Sequence, residues 1–158
     1  MDLRQLYTQL IIEHSKSKKH RHEIEDPTYS EDGHNPSCGD ELTLHIALSD
    51  DGAVIEDVAF TGTGCAVSQA SASMMCDQIK GKSVADARDL CETFISMIRR
   101  EHPDEEKLKS LGDARALENV SNMPARVKCA LLAWHTLNEV MKAHEEGRSL
   151  EGASFTTE

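Results

Sequence analysis

Residues 41–65 read ELTLHIALSDDGAVIEDVAFTGTGC, and the alternation within this stretch decides the fold class. Leu42, Leu44, Ile46 and Leu48 alternate with Thr43, His45, Ala47 and Ser49. A period of two gives a strand one apolar and one polar face. Val54, Val58 and Phe60 carry the pattern into a second strand. Between the two runs, Ser49-Asp50-Asp51-Gly52 supplies the Asp-Gly pair that tight hairpins favour. The stretch therefore predicts an antiparallel pair of strands.

Toward the C-terminus the period changes to that of helices. Thr61-Gly62-Thr63-Gly64-Cys65 turns out of the second strand, and a helix is expected over Ala66–Lys80, closed by Gly81. Its first half, AVSQASAS, is built of small residues that permit close packing. Ser83 with Asp86 three residues later marks another helix start, with Val84, Ala87, Cys91, Phe94 and Ile98 as its apolar stripe and His102-Pro103 as its end. Residues 104–121 are charged and weakly patterned, with one short helical candidate at 105–111. Pro124 opens a last helix to about His144, on which Val127, Leu131, Trp134, Leu137 and Met141 recur at helical spacing.

Toward the N-terminus, Leu3, Leu6, Tyr7, Leu10 and Ile11 form one stripe of an opening helix over residues 2–14. The polar connection Ser15–Ser37 follows, broken by Asp26-Pro27 and Gly33-His34-Asn35-Pro36, with a short strand expected near Arg21–Glu25. The whole predicts an α+β fold: a small three-stranded antiparallel sheet with helices packed on one face, in a single domain over residues 1–144. Residues 145–158 are expected to be a polar, mobile tail.

Composition excludes several functions. Seventeen basic residues against twenty-eight acidic ones give a net charge of −11, and such a surface repels nucleic acid. No apolar run approaches the roughly 20 residues that span a bilayer, and the N-terminus has no apolar core of a secretion signal. Five cysteines without an export signal place the chain in the reducing cytoplasm, with thiols kept as ligands, nucleophiles or core fillers.

Three of those cysteines sit where the chain changes direction. Cys38 lies in NPSCGD before the first strand, Cys65 ends the glycine-rich turn at a helix N-terminus, and Cys129 falls in the opening turns of the last helix. Element ends remote in sequence can gather at one point. A helix N-terminus also favours a thiolate at Cys65. Three thiolates with Asp40, two residues beyond Cys38, would satisfy a tetrahedral zinc ion. Burial as small core residues is the competing reading, and no C-x-x-C pair marks a zinc finger. Cys91, on an apolar stripe, and Cys76 read as core fillers.

NPSCGD (35–40), GDELTLHIALSDDGAVIEDVAFTGTGCAVSQASASMM (39–75) and NMPARVKCALLAWHTL (122–137) together resemble the IscU/NifU-N family of iron–sulfur cluster assembly proteins. The likeness runs from about Leu3 to Ala143 and includes all three cysteine contexts. It implies the SufE/NifU-like fold of IscU. It further implies that Cys38, Cys65, Cys129 and Asp40 surround a metal or a nascent cluster. IscU scaffolds carry His immediately before the third cysteine, where this chain has Lys128, and the span around Arg99–Asn119 is longer. Both features resemble the SufU branch, which implies bound zinc and relay of persulfide sulfur from a SufS-type cysteine desulfurase to downstream iron–sulfur assembly proteins. On that basis docking to the desulfurase exchanges a zinc ligand and frees Cys38 to accept sulfur, and Arg126, one helical turn before Cys129, holds the persulfide anion. A salt bridge on the surface is the plainer role for Arg126.

Two other readings use the same residues. One is an IscU-like scaffold assembling a [2Fe–2S] cluster on Cys38, Cys65 and Cys129. The other is a zinc-stabilised adaptor without chemistry. Elsewhere, the basic run His14, Lys16, Lys18, Lys19, His20, Arg21 and His22 reads as a solvated patch or a partner contact. His45 reads as structural or exposed, and Met74-Met75 as helix core.

Overall fold

A computed structural model describes residues 2–147 and 154–157. The elements follow the order α1 (Leu3–Lys16), β1 (Tyr29–Asn35), β2 (Asp40–Leu48), β3 (Ile55–Thr63), α2 (Ala66–Ile79), α3 (Val84–Ile98), α4 (Glu105–Ser110), a 3-10 stretch (Gly112–Asn122), α5 (Pro124–Glu146) and β4 (Ser154–Thr156). The sheet order is β3-β2-β1-β4. The first three strands pair antiparallel, and β4 adds to β1 in parallel.

The hairpin expected from residues 42–60 is present, with Gly52 at φ 72° in its turn and its N–H on Ser49 O. Its register differs in one respect. Ala47 faces Asp57 while Leu48 faces Ile55, so a bulge inserts one residue into β3. A one-residue insertion flips the following side chains to the opposite face. Ile55 is therefore fully buried and Val54, expected in the core, is turned outward to 36% exposure.

The sheet has four mixed strands, not three antiparallel ones. The strand expected near Arg21–Glu25 lies at Tyr29–Asn35 instead. Its inward positions are Tyr29, Glu31, Gly33 and Asn35, so period-two hydrophobicity never appears in the sequence. Gly33 sits against Thr136 and Leu132 of α5, where a β-carbon would collide. Close contact with a helix, not apolarity, selects that residue. β4 forms where a polar tail was expected; residues 148–153 and 158 of that tail lie outside the described residues.

α1 opens with a capping box: Asp2 accepts from the Gln5 N–H at 2.9 Å, and the Gln5 side chain accepts from the Asp2 N–H at 3.1 Å. Tyr7, Leu10 and Ile11 pack on the core, but Leu3 and Leu6 of the same stripe are exposed. α2 and α5 approach closely through small residues: Ser71 Oγ donates to Ala130 O at 2.6 Å and accepts from the Trp134 indole at 3.0 Å. Trp134 is fully buried and stacks on Phe94 at 4.3 Å between centroids. A side chain of this size and burial contributes about 3–5 kcal/mol relative to alanine. Ser83 caps α3 through the Asp86 N–H, as expected, but the helix ends at Ile98 before His102-Pro103. Among the described residues no helix is long and apolar enough to cross a membrane.

The packing leaves four chain ends together: the β1–β2 turn, the C-terminal end of β3, the start of α2 and the start of α5. Each carries one or more of the candidate ligands.

Candidate metal centre

Cys38 sits in the β1–β2 turn, where Asn35 O accepts the Cys38 N–H at 3.2 Å and Gly39 takes φ 70°. That left-handed conformation suits glycine and lets Asp40 start β2 directly behind Cys38. Cys65 is the N-cap of α2, its sulfur accepting from the Ser68 N–H at 3.5 Å. Cys129 lies in the second turn of α5. Its thiol donates to Cys38 Sγ at 3.1 Å.

Asp40 is 1% exposed and held from several sides. Its Oδ1 accepts from the Cys65 N–H at 2.9 Å and from Ser68 Oγ at 3.2 Å, and its Oδ2 accepts from Asn35 Nδ2 at 2.9 Å. Burial alone would raise the Asp40 carboxyl, but the Cys65 N–H, the Asn35 amide, Cys129 and Ser68 outweigh it and hold the group below the ordinary carboxylate value. The centre therefore contains a fixed negative charge.

Cys129 shows the opposite shift. Burial first, then the neighbouring Cys38, Asp40 and Cys65, push this thiol well above the ordinary value. Sulfurs gathered beside a buried carboxylate are surroundings that a metal cation fits chemically. Cys38, Asp40 and Cys129 each offer a ligand atom, all within 4.8 Å of one another. Cys65, whose sulfur caps α2, stands outside that group of three. Three sulfurs and one oxygen form a donor set suited to tetrahedral zinc. Gly64 provides a further sign of fit: a β-carbon there would lie 2.7 Å from Asp40 Oδ1 and fill the cradle.

Access is asymmetric. Asp40 and Cys129 are buried, whereas Cys38 and Cys65 are half-buried. Arg126 stands at the rim with Nη1 3.7 Å from Cys38 Sγ and in the field of all three cysteines. Lys128 is exposed, whereas Cys129 beside it is buried.

Three contributors escape a reading of the residues alone. Asn35 donates both to Asp40 and, at 3.4 Å, to Cys129. Ser68 stands three residues after Cys65, the spacing of a helix cap, which was the available signal. Thr157 donates its hydroxyl to Asn35 Oδ1 at 3.0 Å, and nothing local in the sequence announces it.

The remaining candidates settle as structure. Cys76 and Cys91 are fully buried, and burial pushes both thiols well up. Met74 and Met75 are core residues. His45 is buried between Ser30 and Thr61. The basic run is not uniformly solvated: His14 bonds Ser73 at 2.8 Å and Asp113 at 3.0 Å, and His20 bonds Asp77 at 2.6 Å. Acidic partners on α2 and the 3-10 stretch draw these two imidazoles inward.

Comparison with known proteins places the chain among relatives of the same fold. Residues 6–149 match the NifU-like N terminal domain family. The iron–sulfur cluster assembly scaffold protein IscU of Thermotoga maritima is 42% identical over 142 residues, covering 90% of this chain and 96% of that protein. The zinc-dependent sulfurtransferase SufU of Bacillus subtilis is 41% identical over 142 residues, covering 90% and 92%. The crystal structure of FiSufU from Fervidobacterium islandicum AW-1 superimposes with a TM-score of 0.78 at 38% identity, covering 89% of this chain and 99% of that one. With the family model matching most of the chain and these relatives covered nearly from end to end, the chain belongs to the IscU/NifU family of NifU-like N-terminal domains.

Proposed function

We propose that this protein is a zinc-dependent carrier of persulfide sulfur in iron–sulfur cluster assembly. Cys38 is the acceptor, a SufS-type cysteine desulfurase the donor, and downstream assembly proteins the recipients. The observation that carries this reading is the position of Cys38: half-exposed at the rim, 3.1 Å from a buried thiol and 3.7 Å from a guanidinium. The SufU relative, 41% identical, bears the name of a zinc-dependent sulfurtransferase.

Zinc held by Cys38, Asp40, Cys65 and Cys129 would keep the sulfurs deprotonated at neutral pH and tie the four chain ends together. The chemistry itself belongs to Cys38. Its thiolate attacks the terminal sulfur of the donor's persulfide, forming a new S–S bond while the donor's S–S bond breaks and the donor leaves as a thiolate. One sulfur atom moves and no external oxidant or reductant is consumed. Arg126 faces the new persulfide, whose anion its charge stabilises. Asp40, pinned by Asn35, Ser68 and the Cys65 N–H, stays in place during the transfer.

Mass spectrometry of the protein after incubation with a SufS-type desulfurase and cysteine tests the reading. A mass gain of one sulfur atom, located on Cys38 and missing from Cys38→Ser, is expected. The same adduct persisting in Cys38→Ser overturns it. Scaffolding of a [2Fe–2S] cluster on Cys38, Cys65 and Cys129 is the second reading, favoured by the 42% identity to a relative named as a scaffold. Visible absorbance after anaerobic loading with iron and sulfide supports that one; a colourless zinc protein supports the first.

A further inference from the structure

We infer that Thr157, beyond the last helix, is a positioning residue for the metal centre, acting through Asn35 on Asp40 and Cys129. The inference rests on the reading of this centre as a zinc site.

Asn35 is 0% exposed, so every polar atom of its amide must be satisfied within the protein. The two Nδ2 protons go to Asp40 Oδ2 at 2.9 Å and Cys129 Sγ at 3.4 Å. This orientation is chemically required, because a flipped amide would set its oxygen against the Asp40 carboxylate. The oxygen then needs a donor where water does not reach. The Thr157 hydroxyl supplies it at 3.0 Å, from 122 positions away in sequence.

β4 leads directly into that hydroxyl and fixes its approach to β1. Asp32, Gly33 and His34 of β1 pair with Ser154, Phe155 and Thr156, and the Thr157 N–H donates to His34 O at 3.0 Å. Phe155 stacks on His135 of α5 at 5.5 Å between centroids. A chain of donors then runs from hydroxyl to amide to carboxylate and thiol, each polarised by the one before. Thr157 fixes the amide, and the amide fixes two of the four ligands.

Two substitutions in the full chain test this. Thr157→Val is nearly isosteric and removes only the hydroxyl; Thr157→Ser restores it. In competition with a chromogenic chelator, Thr157→Val is expected to bind zinc about tenfold more weakly, the low end for partners of metal ligands, and Thr157→Ser to match the wild type. In metal-free protein, the Asn35 side-chain amide resonances are expected to shift in Thr157→Val and not in Thr157→Ser. Unshifted Asn35 resonances in Thr157→Val overturn the inference, whatever zinc does. A wild-type chain that takes up no zinc defeats the metal reading instead, and the Asn35 resonances still decide the tether.

Discussion

Cys38 Sγ lies 3.1 Å from Cys129 Sγ although 91 positions separate the two residues. Only a folded chain brings these sulfurs together, and one of them is half-exposed. Mild oxidation of the metal-free protein is therefore expected to join Cys38 to Cys129 before any pair involving Cys76 or Cys91, which are fully buried. Zinc should suppress the reaction by occupying both sulfurs. Peptide mapping after alkylation checks it; a first disulfide involving Cys91 would refute the arrangement.

Gly64→Ala should damage the centre without touching a ligand. The new β-carbon would lie 2.7 Å from Asp40 Oδ1 and meet Ser68 Oγ as well. Ser68 can rotate, but Asp40 is held by Asn35 and the Cys65 N–H. Displacing it costs on the order of 1–3 kcal/mol, the usual range for overpacking. Calorimetry and zinc titration of Gly64→Ala are expected to show a lower Tm and weaker binding. Adding Ser68→Ala should recover only part of the loss.

The hairpin and the last helix were legible because their partners are the hydrophobic core, and burial writes a period into the sequence. β1 was not, because its inward positions Glu31, Gly33 and Asn35 are not apolar side chains, and none carries that period. The Val54–Ile55 phase shift was hidden for a related reason: a bulge is a property of two paired strands, not of either alone. The candidate ligands Cys38, Asp40, Cys65 and Cys129 were legible as residue types at turns. Their supports Asn35, Ser68 and Thr157 are ordinary polar residues whose role appears only once α2, α5 and β4 converge. His14 and His20 were read as surface because their acidic partners Asp77 and Asp113 lie far along the chain.

Stability should fall as pH drops through about 6.5, and His135 is one cause. Burial first, then the charges of Arg99 and Lys142, hold its imidazole below the ordinary value of 6.5. The unfolded chain then takes up the proton first, so folding is favoured above 6.5 and that advantage is lost as pH falls toward the depressed value. His45, lowered chiefly by burial, acts in the same direction. Tm measured across roughly pH 5–8 is expected to decline on the acid side. His135→Gln should show a shallower decline than the wild type, and an equal slope would count against this assignment.

Zinc removal should be visible as lost stability. A ligand that binds only the folded chain at a thousandfold over its Kd contributes about 4 kcal/mol, or roughly 8–16 °C in Tm for a chain of this size. Chelation followed by differential scanning calorimetry is expected to lower Tm by that order, with zinc, not magnesium, restoring it. No change on chelation would separate this fold from any dependence on metal.

Cys38→Ser and Cys129→Ser should differ, because one residue is half-buried and the other fully buried. Cys38 is at the rim, and its loss leaves Asp40, Cys65 and Cys129 in place with Asn35 still bonded to Asp40. Weakened but measurable zinc binding, a near-native Tm in metal-free buffer and no sulfur acceptance are expected. Cys129 is 0% exposed and receives one of the two Asn35 amide protons. A serine hydroxyl there is shorter and leaves that proton poorly met in a buried network, at a cost of about 1–3 kcal/mol. Cys129→Ser should thus lose zinc and unfold at lower temperature even in metal-free buffer, where Cys38→Ser does not. Equal Tm losses in the two variants would mean that Cys38 carries a structural burden its exposed position does not explain.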